Sequence, residues 1–364
     1  MREVLILGGY GNFGKRIAQA LVRHNIPITV AGRNQSKAQA LTEQIRAINP
    51  NVHVKYAVVD AERDLDAYLQ KSKPAVVINT CGPFQNKDYK IAETCIRQKT
   101  NYIDLADGRA FVTGITRLDQ AAKEARVCVV SGASTVPGLS SAVVEHYKYE
   151  FSQIDELIFG ISPGQKAERG LATTAGILTY LGKPLKPVQG DKQPRYGWQD
   201  IYRQKYPELG YRWMANCDIP DLDLLPEKYS IRKIKFSAGM ENPLLHFGIW
   251  GLSWLVRLGV PIDLSKHADF LLRLSHWFDH FGTDAGGMHM IIRGKDHKAQ
   301  LYERRWFVIA KNGDGPQIPC IPAILLAKKL AEGAPISAGA TPCLGLIDLQ
   351  DYIAELQHFS ITTA

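Results

Sequence analysis

The residues best suited to chemistry in this 364-residue chain stand near its start, Gly8-Gly9-Tyr10-Gly11-Asn12-Phe13-Gly14. They follow the apolar run Val4–Leu7. They precede a stretch in which Ile17, Ala18, Leu21 and Val22 recur at helical spacing. A glycine loop between strand and helix is the setting in which backbone amides cradle a pyrophosphate. Glycine permits the tight turn, the close approach of the backbone and the close packing of helix on strand. The positive end of the helix then faces the anion. Two registers fit, Gly9/Gly11/Gly14 and Gly8/Gly11/Gly14. Asn12 and Phe13 complete the candidate phosphate loop.

The end of the next predicted strand, Thr29-Val30-Ala31-Gly32-Arg33-Asn34, carries no acid. A site for NAD places a carboxylate there to accept from the ribose hydroxyls. Arg33, with Asn34 and Lys37 beyond it, instead offers cations that bind a 2′-phosphate through charge-assisted hydrogen bonds. The expected cofactor is therefore NADP. Asp60, at the end of the third predicted strand, fits two roles equally, acceptor from an adenine amino group or cap of its own turn.

In a doubly wound sheet the ligand lies beyond the carboxyl ends of the strands. Here those ends are Thr80–Phe84, Asp104–Arg109 and Ser131–Gly138. Asp107 is a candidate proton donor or amine ligand and Arg109 a candidate carboxylate clamp. The plainer reading makes Asp104 or Asp107 a helix cap and Arg109 a solvated side chain. Other constellations are weaker. His276 and His280 would share a helical face, but Trp277 stands where a metalloprotease has glutamate and no third ligand is fixed, so no metal is expected. Tyr229 and Lys233 match a dehydrogenase dyad in spacing only. No G-x-S-x-G elbow is present. The six cysteines, Cys81, Cys95, Cys128, Cys217, Cys320 and Cys343, form no C-x-x-C pair, which fits free thiols in a reducing cytoplasm.

Periodicity supplies the elements that must hold these residues. It predicts strands at Val4–Leu7, Ile28–Val30, Val52–Val59, Ala75–Ile78, Tyr102–Leu105 and Val127–Ser131. Helices are predicted between them at 15–24, 36–48 (capped by Ser36), 65–71, 89–98 and 112–126. This alternation implies a parallel sheet covered on both faces. After about residue 150 the rhythm changes to strands near 156–161, 231–236, 288–292 and 306–310. Residues 183–230 read as a long loop or lid, and 323–332 and 349–357 as closing helices. The segment 244–281, rich in Leu, Trp and Phe, reads as a buried helical pair or subunit interface, with lipid contact left open.

The glycine loop, Ala31-Gly32-Arg33, Asn79-Thr80-Cys81-Gly82-Pro83-Phe84, Tyr102-Ile103-Asp104-Leu105 and Ser131–Gly138 occur in this order. Together they resemble the saccharopine dehydrogenase-like oxidoreductases. The resemblance covers residues 1–145 and returns weakly near Gly313–Ala323 and 339–349. It implies an α/β fold in which a Rossmann domain (1–150) is interrupted by an α+β substrate and dimerisation domain (151–316). The C-terminal helices (317–364) would then return to the first domain. It also implies NADP, a homodimer, and a Cys81-Gly82-Pro83-Phe84 loop under the nicotinamide end.

The expected function is hydride transfer to or from a C=N (or C=C or C=O) bond of a small, amino-acid-derived or apolar substrate. The alternative is a non-enzymatic NADP sensor or scaffold. Composition agrees with a globular protein, 45% hydrophobic and 22% charged, with 44 basic against 36 acidic residues for a net charge of +8. The basic residues form no stripe with interleaved aromatics, so nucleic acid is not an expected partner. No signal-peptide core is evident, and a cytoplasmic location is expected.

Overall fold

The structure is a computed structural model that describes residues 1–188, 191, 193–334 and 336–364. Its strands are β1 (Val4–Leu7), β2 (Ile28–Gly32), β3 (Val54–Val58), β4 (Val76–Asn79), β5 (Asn101–Asp104), β6 (Cys128–Ser131), β7 (Gln153–Ser162), β8 (Tyr202–Tyr206), β9 (Gly210–Asn216), β10 (Lys233–Ala238), β11 (Gly286–Lys295), β12 (Leu301–Ala310), β13 (Gly339–Pro342) and β14 (Ile361–Thr363). Between them run α1 (Asn12–Arg23), α2 (Gln35–Arg46), α3 (Leu65–Ser72), α4 (Lys90–Arg97), α5 (Arg109–Gly114), α6 (Asp119–Ala125), α7 (Ser140–Tyr147), α8 (Leu171–Tyr180), α9 (Asp221–Tyr229), α10 (Pro243–Arg257), α11 (Ala268–His276), α12 (Ile321–Glu332) and α13 (Leu349–Leu356).

Two compact units result, Met1–Ala142 with Gln317–Glu355, and Val143–Pro316 with Leu356–Ala364. The first holds a seven-stranded sheet in the order β13-β6-β5-β4-β1-β2-β3. Every pairing in it is parallel. β1, β4 and β6 are buried along their whole length, as the continuous apolar runs require. The strand order reverses between β1 and β4, which opens a crevice at their carboxyl ends. Leu7 there lies opposite both Ala31 and Asn79, so the loops that follow the three strands emerge side by side. α12 buries Ile321, Ile324, Leu325 and Leu330. α13 is tied to α1 through Glu355, which meets His24 at 2.8 Å and Lys328 at 2.6 Å.

The second unit holds a mixed seven-stranded sheet, β14-β12-β11-β7-β10-β9-β8. α8, α10 and α11 share a hydrophobic cluster built on Leu178, Trp198, Leu264 and Ala268.

Several expectations need correction. Residues 112–126 do not form one helix. The chain breaks after Gly114, where a Cβ would come within 2.7 Å of the Tyr89 hydroxyl. The cap of α2 is Asn34, whose side chain accepts from the Lys37 amide at 2.9 Å, and Ser36 lies inside the helix. The 183–230 region holds the β8–β9 hairpin and α9, although 189, 190 and 192 lie outside the described residues. Residues 356–364, expected with the first domain, place β14 in the second sheet beside β12. The 244–281 pair is not wholly buried, since Leu244, Leu258, Trp277 and Phe281 are all more than 70% exposed. Among the described residues no helix is long and apolar enough to cross a membrane.

Candidate dinucleotide and active site

The glycine loop needs its glycines for separate reasons. Gly8 has a φ of +71°, in the left-handed region, and a Cβ there would lie 2.7 Å from the Thr80 hydroxyl. It makes the tight turn that Gly11 closes by donating its amide to the Gly8 carbonyl at 2.8 Å. Gly14, in the first turn of α1, sits so close to the loop that a Cβ would lie 2.4 Å from the Gly8 oxygen. The turn, cap and packing roles therefore fall on Gly8, Gly11 and Gly14, which selects the longer of the two registers. Gly9 serves the sheet instead, with Ile6 O and the Val30 side chain 2.9–3.0 Å from where its Cβ would be.

α1 opens with no acidic residue in its first turn. An anion there meets the positive end of the helix without a competing carboxylate. The cradle that side chains would fill and the acid-free helix end fit a dinucleotide pyrophosphate.

The adenosine side of the crevice carries Arg33, Asn34 and Lys37, all exposed. Asn34 is held from both sides, its side chain by capping α2 and its amide by donating to the Tyr10 hydroxyl at 3.0 Å. Tyr10 lies over Gly32, where a Cβ would fall 2.4 Å from its ring. Sequence reasoning missed Tyr10 as a positioning residue. The available signal was the glycine that ends β2, since a glycine in a strand marks close approach. Asp60 accepts from the Glu62 amide at 2.9 Å, so that oxygen caps its own turn. The charges of Arg33, Asp60 and Lys87 are all felt at the Cys81 thiol, which puts the ends of β2, β3 and β4 around one place.

The loop after β4 lies against the glycine loop. Thr80 donates its hydroxyl to the Leu7 carbonyl at 2.8 Å, and Cys81 Sγ lies 3.1 Å from the Cβ position of Gly8. Asn79 accepts the Cys81 amide at 3.0 Å. Although the residue is exposed, its thiol is turned toward Gly8, and desolvation there pushes it up to about 11 despite Arg33. Cys81, Gly82 and Pro83 are exposed. Phe84 differs from them. It turns inward and packs on Phe111 with ring centroids 5.4 Å apart, which anchors the loop.

Beyond Phe84, Gln85 donates its side-chain amide to Asp107 Oδ1 at 3.1 Å. This bond joins the loop after β4 to the loop after β5. Burial raises the Asp107 carboxyl above the ordinary carboxylate range, and the Gln85 bond only partly offsets that. Arg109 is 4% exposed at the first position of α5. The plainer reading of these residues does not hold. The cap of α5 is Gly108, with no side-chain bond, so neither Asp104 nor Asp107 caps it, and Arg109 is not solvated.

Asp104 is fully buried and does other work. It accepts from the Gly132 amide at 2.8 Å, the Ser131 hydroxyl at 2.9 Å and the Ala106 amide at 3.0 Å. It thereby locks the β5 loop to the β6 loop. Burial raises its carboxyl to about 6 even against these three donors.

The other constellations dissolve in three dimensions. α11 ends at His276, and His280 belongs to a separate short turn, so the two imidazoles share no helical face. His276 instead meets Asp279 at 2.9 Å. Tyr229 gives its hydroxyl to Glu145 at 2.9 Å. Among the described residues no three potential ligands cluster for a metal.

Fold and site together define a dinucleotide-binding domain of the oxidoreductase type. Residues 4–130 match the family model described as saccharopine dehydrogenase NADP binding domain. Over those residues the chain is similar to a saccharopine dehydrogenase-type NADP-binding domain, and NADP is its cofactor. Across its full length the chain is also similar to the solved apo saccharopine dehydrogenase (L-Glu forming) from Saccharomyces cerevisiae, with a TM-score of 0.67, 13% identity and 100% of both chains covered. At that identity the likeness is one of fold. A meso-DAP dehydrogenase variant from Clostridium tetani, solved with DAP, is 14% identical over 98% of this chain and 99% of its own, with a TM-score of 0.47. No curated protein matches the chain.

Proposed function

We propose that the protein is an NADP-dependent reductase or dehydrogenase acting on a C=N bond of a small amino-acid-derived substrate, or on a C=C or C=O bond of a more apolar one. The observation that carries this reading is the Gln85–Asp107 bond. It joins a carboxyl of raised proton affinity, on the loop after β5, to the loop that carries Cys81-Gly82-Pro83, and this supports a proton donor near the nicotinamide end of a dinucleotide bound by the glycine loop. The cofactor, when bound, supplies or accepts the hydride.

The chain's own residues do the rest. Gly8, Gly11, Gly14 and the open end of α1 receive the pyrophosphate, and Arg33 with Lys37 receives the 2′-phosphate. In the reductive direction Asp107 gives its proton to the substrate nitrogen or oxygen while the adjacent carbon gains hydride. In the oxidative direction it takes the proton back. A carboxyl whose proton affinity burial raises suits both directions. Arg109 binds a substrate carboxylate, where its planar fork makes two parallel hydrogen bonds. The enzyme acts as a homodimer.

The test is consumption of NADPH during incubation with separate pools of keto acids plus amines, enoyl compounds and carbonyl compounds. Turnover on one pool names the bond class. Tight NADPH binding with no turnover on any pool would instead identify a sensor or scaffold.

A further inference from the structure

Arg33 stands between two residues that Tyr10 holds. On one side is Gly32, the last residue of β2. The three atoms nearest to a Cβ built there all belong to the Tyr10 side chain, two ring carbons at 2.4 and 2.8 Å and the hydroxyl at 2.9 Å. The φ of Gly32 lies outside the left-handed region, so the backbone does not call for glycine. What this glycine supplies is room for the ring. On the other side is Asn34, whose amide donates to the Tyr10 hydroxyl at 3.0 Å.

Tyr10 is itself fixed at both of its peptide neighbours. Gly9 donates its amide to the Ala31 carbonyl at 3.1 Å, and Gly11 donates to the Gly8 carbonyl at 2.8 Å. Gly32 is tied to the sheet as well, because its carbonyl accepts from the Val59 amide at 3.2 Å. The half-buried Tyr10 side chain therefore bridges two anchored pieces of backbone, the glycine loop and the end of β2. Asn34 in turn joins α2, since its side chain accepts from the Lys37 amide at 2.9 Å. Tyr10 thus ties the start of α2 to the glycine loop across the single residue Arg33.

We infer that Tyr10 is a specificity-determining residue, which sets the preference for NADP over NAD by holding the loop of Arg33 in the form that receives a 2′-phosphate. This rests on the proposed role of Arg33 and adds a positioning residue that acts through it. It does not depend on the reaction catalysed.

The Tyr10 hydroxyl has no packing task, because a phenylalanine ring would cover Gly32 as well. Its bond to Asn34 restricts an exposed loop whose backbone would otherwise sample many conformations. A guanidinium makes two parallel hydrogen bonds to a phosphate only over a narrow range of orientations. A loop that must be ordered on binding loses affinity by that ordering, and a loop ordered beforehand does not. The loss falls on NADPH alone, because NADH carries no phosphate for Arg33 to meet.

The experiment is a fluorescence titration of NADPH and NADH with the full chain, Tyr10→Phe, Gly32→Ala, Arg33→Ala and the double variant Tyr10→Phe/Arg33→Ala. Circular dichroism and thermal melts check folding. Tyr10→Phe should weaken NADPH about 3- to 10-fold, the range of one uncharged hydrogen bond, and NADH by less than about twofold. Gly32→Ala attacks the same contact from the other side, since the added methyl group must displace the ring, and it should shift the preference in the same direction. Tyr10→Phe decides alone where Gly32→Ala does not fold. On the Arg33→Ala background Tyr10→Phe should change NADPH by less than about twofold, because the two residues act as a unit. Hydrogen exchange without any dinucleotide gives an independent reading, in which the Asn34 amide should exchange faster in Tyr10→Phe than in the parent. The inference is overturned by equal weakening of both dinucleotides, by undiminished NADPH affinity in Tyr10→Phe, by additive losses in the double variant, or by an Asn34 amide indifferent to Tyr10→Phe. If Arg33→Ala lowers the preference and Tyr10→Phe does not, this inference alone fails. If Arg33→Ala leaves the preference intact, the role of Arg33 fails with it.

Discussion

Replacing Arg33 with alanine separates NADPH binding from NADH binding. Arg33 is exposed at the carboxyl end of β2, and Lys37 stands one helical turn further on. A hydrogen bond to a charged group contributes about 1.5–3 kcal/mol, and solvent exposure places this one near the lower end. At about 1.4 kcal/mol per decade, Arg33→Ala should weaken NADPH by roughly 10- to 30-fold. Lys37 keeps the loss from being larger. NADH has no 2′-phosphate, so its affinity should change by less than about twofold, within the range of an ordinary surface substitution. The assay is a fluorescence titration of both dinucleotides with parent and variant at two salt concentrations. The NADPH penalty should shrink as salt screens the exposed pair. An equal loss for both dinucleotides, or no loss for either, would refute the reasoning. The first result would show that Arg33 shapes the loop after β2, and the second that it faces bulk water in the complex.

Three further outcomes are expected. Asp107→Asn should lower kcat by about 10²- to 10⁴-fold, as loss of a general acid does, while the Kd for NADPH stays within twofold; single-turnover kinetics with NADPH binding as control will check this. Asp104→Asn should raise Tm at pH 8 and leave it unchanged at pH 4. Burial lifts the native carboxyl to about 6, so the folded state holds its proton more tightly than the unfolded chain, and the parent loses stability as pH rises through that window. For Glu355 the sign is opposite. Burial alone would raise its carboxyl, but the bonds from His24 and Lys328 outweigh that and hold it at about 2. The stability this adds is present above about pH 4.5 and is lost as pH falls toward 2. Glu355→Gln should therefore cost about 1–2 kcal/mol at neutral pH after allowance for solvent screening, and roughly a quarter of that at pH 2.5, by thermal melts across pH.

Much of the first unit was legible in the linear sequence because the signals are local. A glycine loop between an apolar run and an amphipathic run specifies a strand, a turn and a helix within about 20 residues. The lack of an acid after β2, with Arg33 in place, speaks to the phosphate the cofactor carries, and no distant contact is needed to read it. The second unit was less legible. The β8 strand is short and half-exposed, so its alternation between Tyr202 and Tyr206 merges with the aromatic, proline-rich stretch around it.

What only the tertiary structure decided is which distant groups meet. Asp104 looked like a helix cap because capping is a local event. Its real partners, Ser131 and Gly132, lie 27 and 28 residues away and reach it only because β5 and β6 are neighbours in a parallel sheet. Tyr10 over Gly32, Thr80 under Gly8 and Gln85 on Asp107 are contacts of the same kind, between loops that share one edge of the sheet. The sequence by itself determined most strands and helices of the first unit and the basic residues after β2, since backbone geometry and side-chain charge are carried by short segments. The sheet order determined the proton affinities of Asp104 and Asp107, since burial exists only once β4, β5 and β6 lie side by side.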